Sequence, residues 1–217
     1  MHPPKPNPHV LSDSASVELY SESELPLSFG LFRVQIFRTL DEAATEHLVI
    51  AKGNLTEGDA PFLRVHSECF TGEVLGSLRC DCKAQLDAAL KTIHLQGRGL
   101  VIYLRKHEGR GIGLGNKIRA YHLQQREGLD TIQANHALGF PNDQRSFTIA
   151  ADILKILGIE AVRLNTNNPD KIAEIETQGI KVVEVLPSLS SPNPHNDEYL
   201  RTKFLKLGHH LEKLFEP

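Results

Sequence analysis

No stretch of this 217-residue sequence is long and apolar enough to span a membrane, and the opening MHPPKPNPHV lacks the apolar core of a secretory signal. Both absences lead us to expect a cytoplasmic protein with no membrane partner. An excess of basic residues is missing too: 24 Lys and Arg against 27 Asp and Glu give a net charge of -3. That balance argues against a general nucleic-acid binder, and any anionic ligand must be met by a local cluster of cations. Cysteine is scarce, at three residues, so the thiols cannot all pair off as disulfides. Hydrophobic residues make up 40% of the chain. That is enough for one good core, and one domain is expected.

All three cysteines fall within Arg64 to Gln85, RVHSECFTGEVLGSLRCDCKAQ, as Cys69, Cys80 and Cys82. A Cys-x-Cys step makes a strained disulfide, whereas a shared metal asks only that the sulfurs converge. Thiolates are soft ligands, and without a fourth cysteine for an iron–sulfur cluster zinc suits them best. Three protein ligands leave a fourth position for water in a catalytic site, or for a histidine such as His66 in a structural one. Free buried thiols are a third reading, and spacing alone does not choose among them.

Along the chain, residues 1–25 are rich in Pro, Ser, Glu and Asn without a sustained period, and are expected to be a flexible extension. The segments LSFGLFRVQIFR and EHLVIAKG predict an antiparallel strand pair, and PFLRVHSE a strand leading into Cys69. Leu86, Ala89, Leu90 and Ile93 follow helical spacing, predicting a helix from Lys83 to Gln96 that stops at Gly97. Gly99 to Leu104 predicts a strand covered on both faces. RKHEGRGIGLGNK, from Arg105 to Lys117, lies between that strand and a helix that Asn116 could cap. Its glycines would let backbone approach an anion, although the pattern fits no named phosphate motif. Ile118 and Tyr121 then read as one stripe of core residues. Thr131 to Arg145 predicts a long loop, and Ser146 a cap for FTIAADILKIL. Ala161 to Leu186 predicts a strand, helix, strand unit with parallel connection, in which Asn168 caps and Pro169 opens the helix. Thr166 and Lys171 fall where such units hold ligands. The tail from Pro187 becomes helix-like from Asn196 to Phe215. The fold class expected is α/β, a layered mixed sheet with helices on both faces, antiparallel strands first and the strand, helix, strand unit last.

Together, RVHSEC, SLRCDC, EGRGIGL, NKIRAY, ANHALGF and TNNP resemble GTP cyclohydrolase II of riboflavin biosynthesis, and the likeness runs from about Arg33 into the NPHNDEYLRTK tail. The resemblance implies a catalytic domain over 26–187, with 188–217 a tail and helix of the same domain. It implies hydrolysis of GTP to formate, diphosphate and 2,5-diamino-6-(5-phospho-D-ribosylamino)pyrimidin-4(3H)-one. It also implies one catalytic zinc on Cys69, Cys80 and Cys82, magnesium on the triphosphate, and a homodimer.

Matched residue by residue, the GTP contacts are Arg64, Val65, His66, Ser67, Glu68, Gln85, Glu108, Gly109, Arg110, Thr131, Thr166 and Lys171. Arg64, Arg110 and Lys171 suit phosphate oxygens. Asp143 matches the family's proton acceptor, Arg145 its nucleophile at the α-phosphorus, and Tyr121 a tyrosine that assists at the base. A guanidinium is almost never neutral, so an electrostatic role for Arg145 stands beside the nucleophilic one. Two departures are KHEGR, one residue longer than the commoner QEGR, and Asp170 where a basic residue is frequent. Many relatives carry a fused dihydroxybutanone phosphate synthase domain, for which this chain has no room, so a monofunctional enzyme is expected. Alternatives are a relative that acts on another purine nucleotide or stops at a partial product, and a zinc-stabilised nucleotide-binding regulator without activity.

Overall fold

The computed structural model describes residues 16–215. A seven-stranded mixed sheet runs in the order β1-β2-β3-β5-β4-β6-β7. Its first half is an antiparallel meander of β1 (Val17–Leu27), β2 (Gly30–Thr39) and β3 (Glu46–Lys52). In β3 every second residue is buried, the period-two signature of a strand with one face on the core. β5 (Gly99–Leu104) pairs antiparallel with β3 on one side and parallel with β4 (Phe62–Ser67) on the other, so it joins the two halves. β6 (Ala161–Asn165) and β7 (Lys181–Leu186) extend the parallel half. β4 and β5 are almost wholly buried, as strands covered on both faces must be.

The helices divide between the two faces. α2 (Cys82–Gln96) connects β4 to β5 and sets Ala89, Leu90 and Ile93 against Phe32, Phe62 and Val101. Short α1 (Phe70–Glu73) precedes it. α5 (Thr148–Ile156) and α6 (Pro169–Thr177) cover the opposite face, where Ala151, Ile153, Leu154 and Ile175 pack on Leu63, Leu100 and Leu164. The crossovers leaving the neighbouring strands β4 and β6 run in opposite directions across the sheet, to β5 and to β7. The carboxyl ends of β4 and β6 therefore meet at a topological switch point, the usual place for a ligand in open α/β sheets. α3 (Gly113–Glu127), α4 (Thr131–Ala137), α7 (Asp197–Leu207) and α8 (Glu212–Phe215) complete the chain.

Several expectations are corrected. Of the expected extension, 1–15 lie outside the described residues, but Val17–Leu27 is a full strand hydrogen-bonded to β2. Its exposed Glu and Ser side chains hid it, since an edge strand needs few apolar residues. The helix expected to start at Asn116 starts at Gly113, and the Asn116 side chain donates to the Ile112 carbonyl from within it. Half of the expected 131–145 loop is α4, opened by a capping box between Asp130 and Gln133. Phe147, not Ser146, occupies the N-cap of α5. The tail helix breaks at Gly208, which is left-handed at φ 62°.

Val17 tests whether β1 belongs to the core. Its side chain is fully buried in the cluster that contains Phe37 and Ile153, so Val17→Ala should cost about 2 kcal/mol from lost burial and the cavity left behind. Urea denaturation measures this, and unchanged stability would return the segment to a loose extension.

Candidate active site

Cys69 precedes α1, while Cys80 and Cys82 bracket the start of α2, and the three Sγ atoms all lie within 4.8 Å of one another. Cys69 and Cys80 are 3.6 Å apart. That is too far for a disulfide and close to the separation of about 3.8 Å for two thiolates sharing a tetrahedral zinc. Gly72 makes the approach possible, because a Cβ there would stand 2.7 Å from Cys80 Sγ and 3.2 Å from Cys69 Sγ. Hydrogen bonds from Cys80 and Cys82, aided by Lys117, pull the Cys69 thiol far down, while Cys80 is pushed up to about 11 and Cys82 well up. Three thiols this close resist joint ionisation, and a cation held among them relieves that resistance. The donor set fits a soft divalent metal.

The glycine-rich segment folds against this corner. Gly109 and Arg110 are both left-handed, at φ 60° and 67°, a conformation that costs a residue with a Cβ and favours glycine. Even with the right φ, a Cβ on Gly109 would meet Ile112 at 2.9 Å and Lys117 at 3.1 Å. The turn brings the buried Glu108 carboxylate onto Lys117 and onto the backbone N–H of Phe70, next to Cys69. Lys117 also donates to Cys69 Sγ at 3.1 Å and Thr71 Oγ1 at 2.8 Å. One turn further along α3, the Tyr121 ring lies beneath Arg79 at 4.6 Å and Lys117 at 5.8 Å, and faces the cavity. Its hydroxyl is raised, chiefly by burial. Ile118, expected on the same core stripe, is 50% exposed.

The same cavity is also lined by cations. Arg145 holds Asp143 through Nε at 2.9 Å and through Nη2, and Arg110 reaches the same carboxylate at 3.2 Å. Burial works against the Asp143 charge, but Arg145 and Arg110 hold its carboxyl below the usual range. Burial likewise opposes the Arg145 cation, and Asp143 more than restores it. Arg145 Nη1 also donates to Ser67 Oγ, 3.2 Å away, which lies 3.2 Å from His107 Nδ1. Lys171 is buried and donates to the Val65 carbonyl at 2.8 Å. Burial, Arg145 and Arg64 push its ammonium well down. Burial and Arg145 bring His107 to about 3, and burial and Lys203 bring His209 to about 2. Burial is the first cause of each shift, and the cations clustered around the cavity add to it.

The sequence-matched residues converge here, with three qualifications. Val65 presents its side chain to the core and only its carbonyl to Lys171. Arg64, expected on phosphate, is engaged at all three nitrogens by His66 Nδ1, Asn165, Ser188 Oγ and Gln85 Oε1. Because Arg64 can only donate, His66 Nδ1 accepts and its Nε2–H points to Glu73 at 2.8 Å. Glu108 is spent on Lys117 and Phe70. His66, Ser67, Glu68, Gln85, Gly109, Arg110, Thr131, Arg145, Thr166 and Lys171 line the cavity directly.

Residues that the sequence alone did not single out are Lys117, Asp81, and Tyr199 and Lys203 of α7. Asp81, between two of the cysteines, accepts from Lys203 at 3.2 Å and from Gln85 at 2.6 Å, which ties the tail to the cysteine corner. The placement of Lys117 four residues before Tyr121 was the one available signal.

A family model described as GTP cyclohydrolase II matches residues 18–187. A GTP cyclohydrolase-2 of Haemophilus influenzae is 48% identical over 91% of this chain and 90% of its own length. One of Teredinibacter turnerae is 51% identical over 91% of this chain and 98% of its own. A rice protein named probable monofunctional riboflavin biosynthesis protein RIBA 3, chloroplastic, is 49% identical over 89% of this chain, which spans 36% of that longer protein. By the extent of these matches, this chain belongs to the GTP cyclohydrolase II family.

Proposed function

We propose that this protein is a zinc-dependent GTP cyclohydrolase II that converts GTP to formate, diphosphate and the diaminopyrimidine ribosyl phosphate, the first step of riboflavin biosynthesis. The observation that carries the reading is one cavity whose lining includes three convergent thiols together with Arg110, Arg145 and Lys171. A nucleotide triphosphate calls for both: a base to be opened and a polyanion to be held. Three waters balance the reaction, one at the phosphoanhydride and two at carbon 8 of the purine, where formate leaves.

Cys69, Cys80 and Cys82 would hold the zinc, which when bound supplies Lewis-acid activation of water. Tyr121, on the cavity wall, orients the base and offers a hydroxyl proton. Glu68, Gln85 and Thr131 are placed along the cavity for polar contacts with the substrate. Lys171 and Arg110 bind phosphate oxygens, and Arg64 holds Gln85 and His66 in place for that task. Arg145 acts as a cation that stabilises charge on the α-phosphate, because its bidentate grip on Asp143 keeps the guanidinium protonated. Asp143, released from Arg145 by the phosphate, accepts a proton. Magnesium arrives with the triphosphate, since the carboxylates of Asp81, Glu108 and Asp143 are each already paired with a cation. We place the enzyme in the cytoplasm; among the described residues no helix is long and apolar enough to cross a membrane. A homodimer would cover the exposed Val74, Leu75 and Leu78 beside the cysteines.

Purified protein given GTP, magnesium and zinc should yield formate and diphosphate together, identified with the pyrimidine by mass spectrometry. Cys82→Ser should lose zinc and formate release; full zinc occupancy with full formate release would remove the cysteines from the reaction. Diphosphate without formate in the wild type would leave a partial-reaction relative. For Arg145→Ala we expect turnover to fall by about 10²–10³-fold, the usual loss of a charge-stabilising donor, with Arg145→Lys retaining part of it. Single-turnover measurement of both products checks this, and wild-type rates in Arg145→Ala would free Arg145 from the chemistry.

A further inference from the structure

Lys117 has no assigned part in the substrate contacts, yet its surroundings are the most fully specified of any lysine at the site. Its ammonium carries three N–H donors. All three are used, on Cys69 Sγ at 3.1 Å, Thr71 Oγ1 at 2.8 Å and the Glu108 carboxylate. Lys171, by contrast, makes one bond, to the Val65 carbonyl, and keeps donors to offer a ligand. A lysine with no donor left does not bind phosphate; it serves the groups it already touches.

We propose that Lys117 is a positioning residue for the metal, donating to the Cys69 sulfur and, through its pairing with Glu108, fixing where that sulfur lies. The proposal rests on the reading that the cysteines hold zinc. Three thiolates around a divalent ion leave one net negative charge, and Cys69 is buried. A buried charge without a hydrogen-bond partner is costly, and an N–H donated to the sulfur offsets part of that cost although Glu108 shares the ammonium. A hydrogen bond to a thiolate also withdraws part of the charge it would give the metal, so the ion keeps more of its Lewis acidity.

The geometry supports orientation as well as charge. Glu108 holds Lys117 and the N–H of Phe70, so one carboxylate–ammonium pair grips Cys69 through its side chain and through the peptide that follows it. The left-handed turn at Gly109 exists for this contact, because a Cβ there would run into the Lys117 stem. Arg110, the next residue, reaches Asp143. The metal corner and the cationic corner are thereby joined by a single turn of chain.

The test measures zinc affinity by competition with a chromophoric chelator, and the absorption of the cobalt-substituted protein, for wild type, Lys117→Met and the double variant Lys117→Met with Glu108→Gln. The double variant leaves no unpaired carboxylate, so it stands in if the single one fails to fold. Both variants should hold zinc about 10–100-fold more weakly, the usual loss when a partner of a metal ligand is removed. Their sulfur-to-cobalt charge-transfer band should move to lower energy, because a thiolate freed of its N–H donor gives up electrons more readily. Wild-type affinity and an unmoved band in the double variant would overturn the proposal and leave Lys117 as the counter-ion of Glu108 alone. Absence of zinc from the wild type would overturn the metal reading instead, so the two failures are told apart.

Discussion

Like charges gathered around one cavity are the constraint on which this structure depends. In a chain with a net charge of -3, Arg64, Arg110, Lys117, Arg145, Lys171 and Lys203 line a single hollow. Each is held by a specific acceptor: Gln85 and Asn165, Asp143, Glu108, Asp143 again, the Val65 carbonyl, and Asp81. Pairing lowers the cost of burying the cations, while burial first and the neighbouring cations second depress Lys171, His66 and His107.

The sheet topology brings these groups together. β4 carries Arg64, His66 and Ser67 to its carboxyl end, next to the end of β6, where Asn165 and Thr166 begin the loop to Lys171. Ridges of apolar side chains on α2 and α5 hold the two faces of the sheet, so the polar ends are anchored to a rigid frame. Two carboxylates act as links within this frame. Asp143 joins Arg110 to Arg145, and Glu108 joins the glycine turn to the cysteine corner.

The tail takes part in this frame although the family match ends at residue 187. α7 delivers Lys203 to Asp81 and places Tyr199 on the cavity wall, and the His210 N–H reaches the Asn167 carbonyl. Asp81 sits between Cys80 and Cys82, so the position of the last long helix and the shape of the cysteine corner depend on each other. Burying that ion pair in place of a solvent-facing tail closes one side of the cavity.

Much was determined by sequence alone, because the signals are local. The period of β3, the glycine stop of α2, the Asn168–Pro169 start of α6 and the spacing of the three cysteines need no partner to be read. The ordered motifs marked the family, and with it the residues that converge in the cavity. Tertiary structure decided the rest. β1 is a strand because β2 supplies its hydrogen bonds, not because its Glu and Ser side chains favour one. Arg64 reads in the sequence as a phosphate ligand, and only the fold shows Asn165 and Ser188, more than a hundred residues away, engaging its Nη1. Lys117 drew no attention in the sequence, and only the turn at Gly109 sets Glu108 and Cys69 against it. Charge and hydrogen-bonding capacity are written in each residue, but whether a donor is spent or free depends on which distant acceptors the fold brings within 3 Å or so.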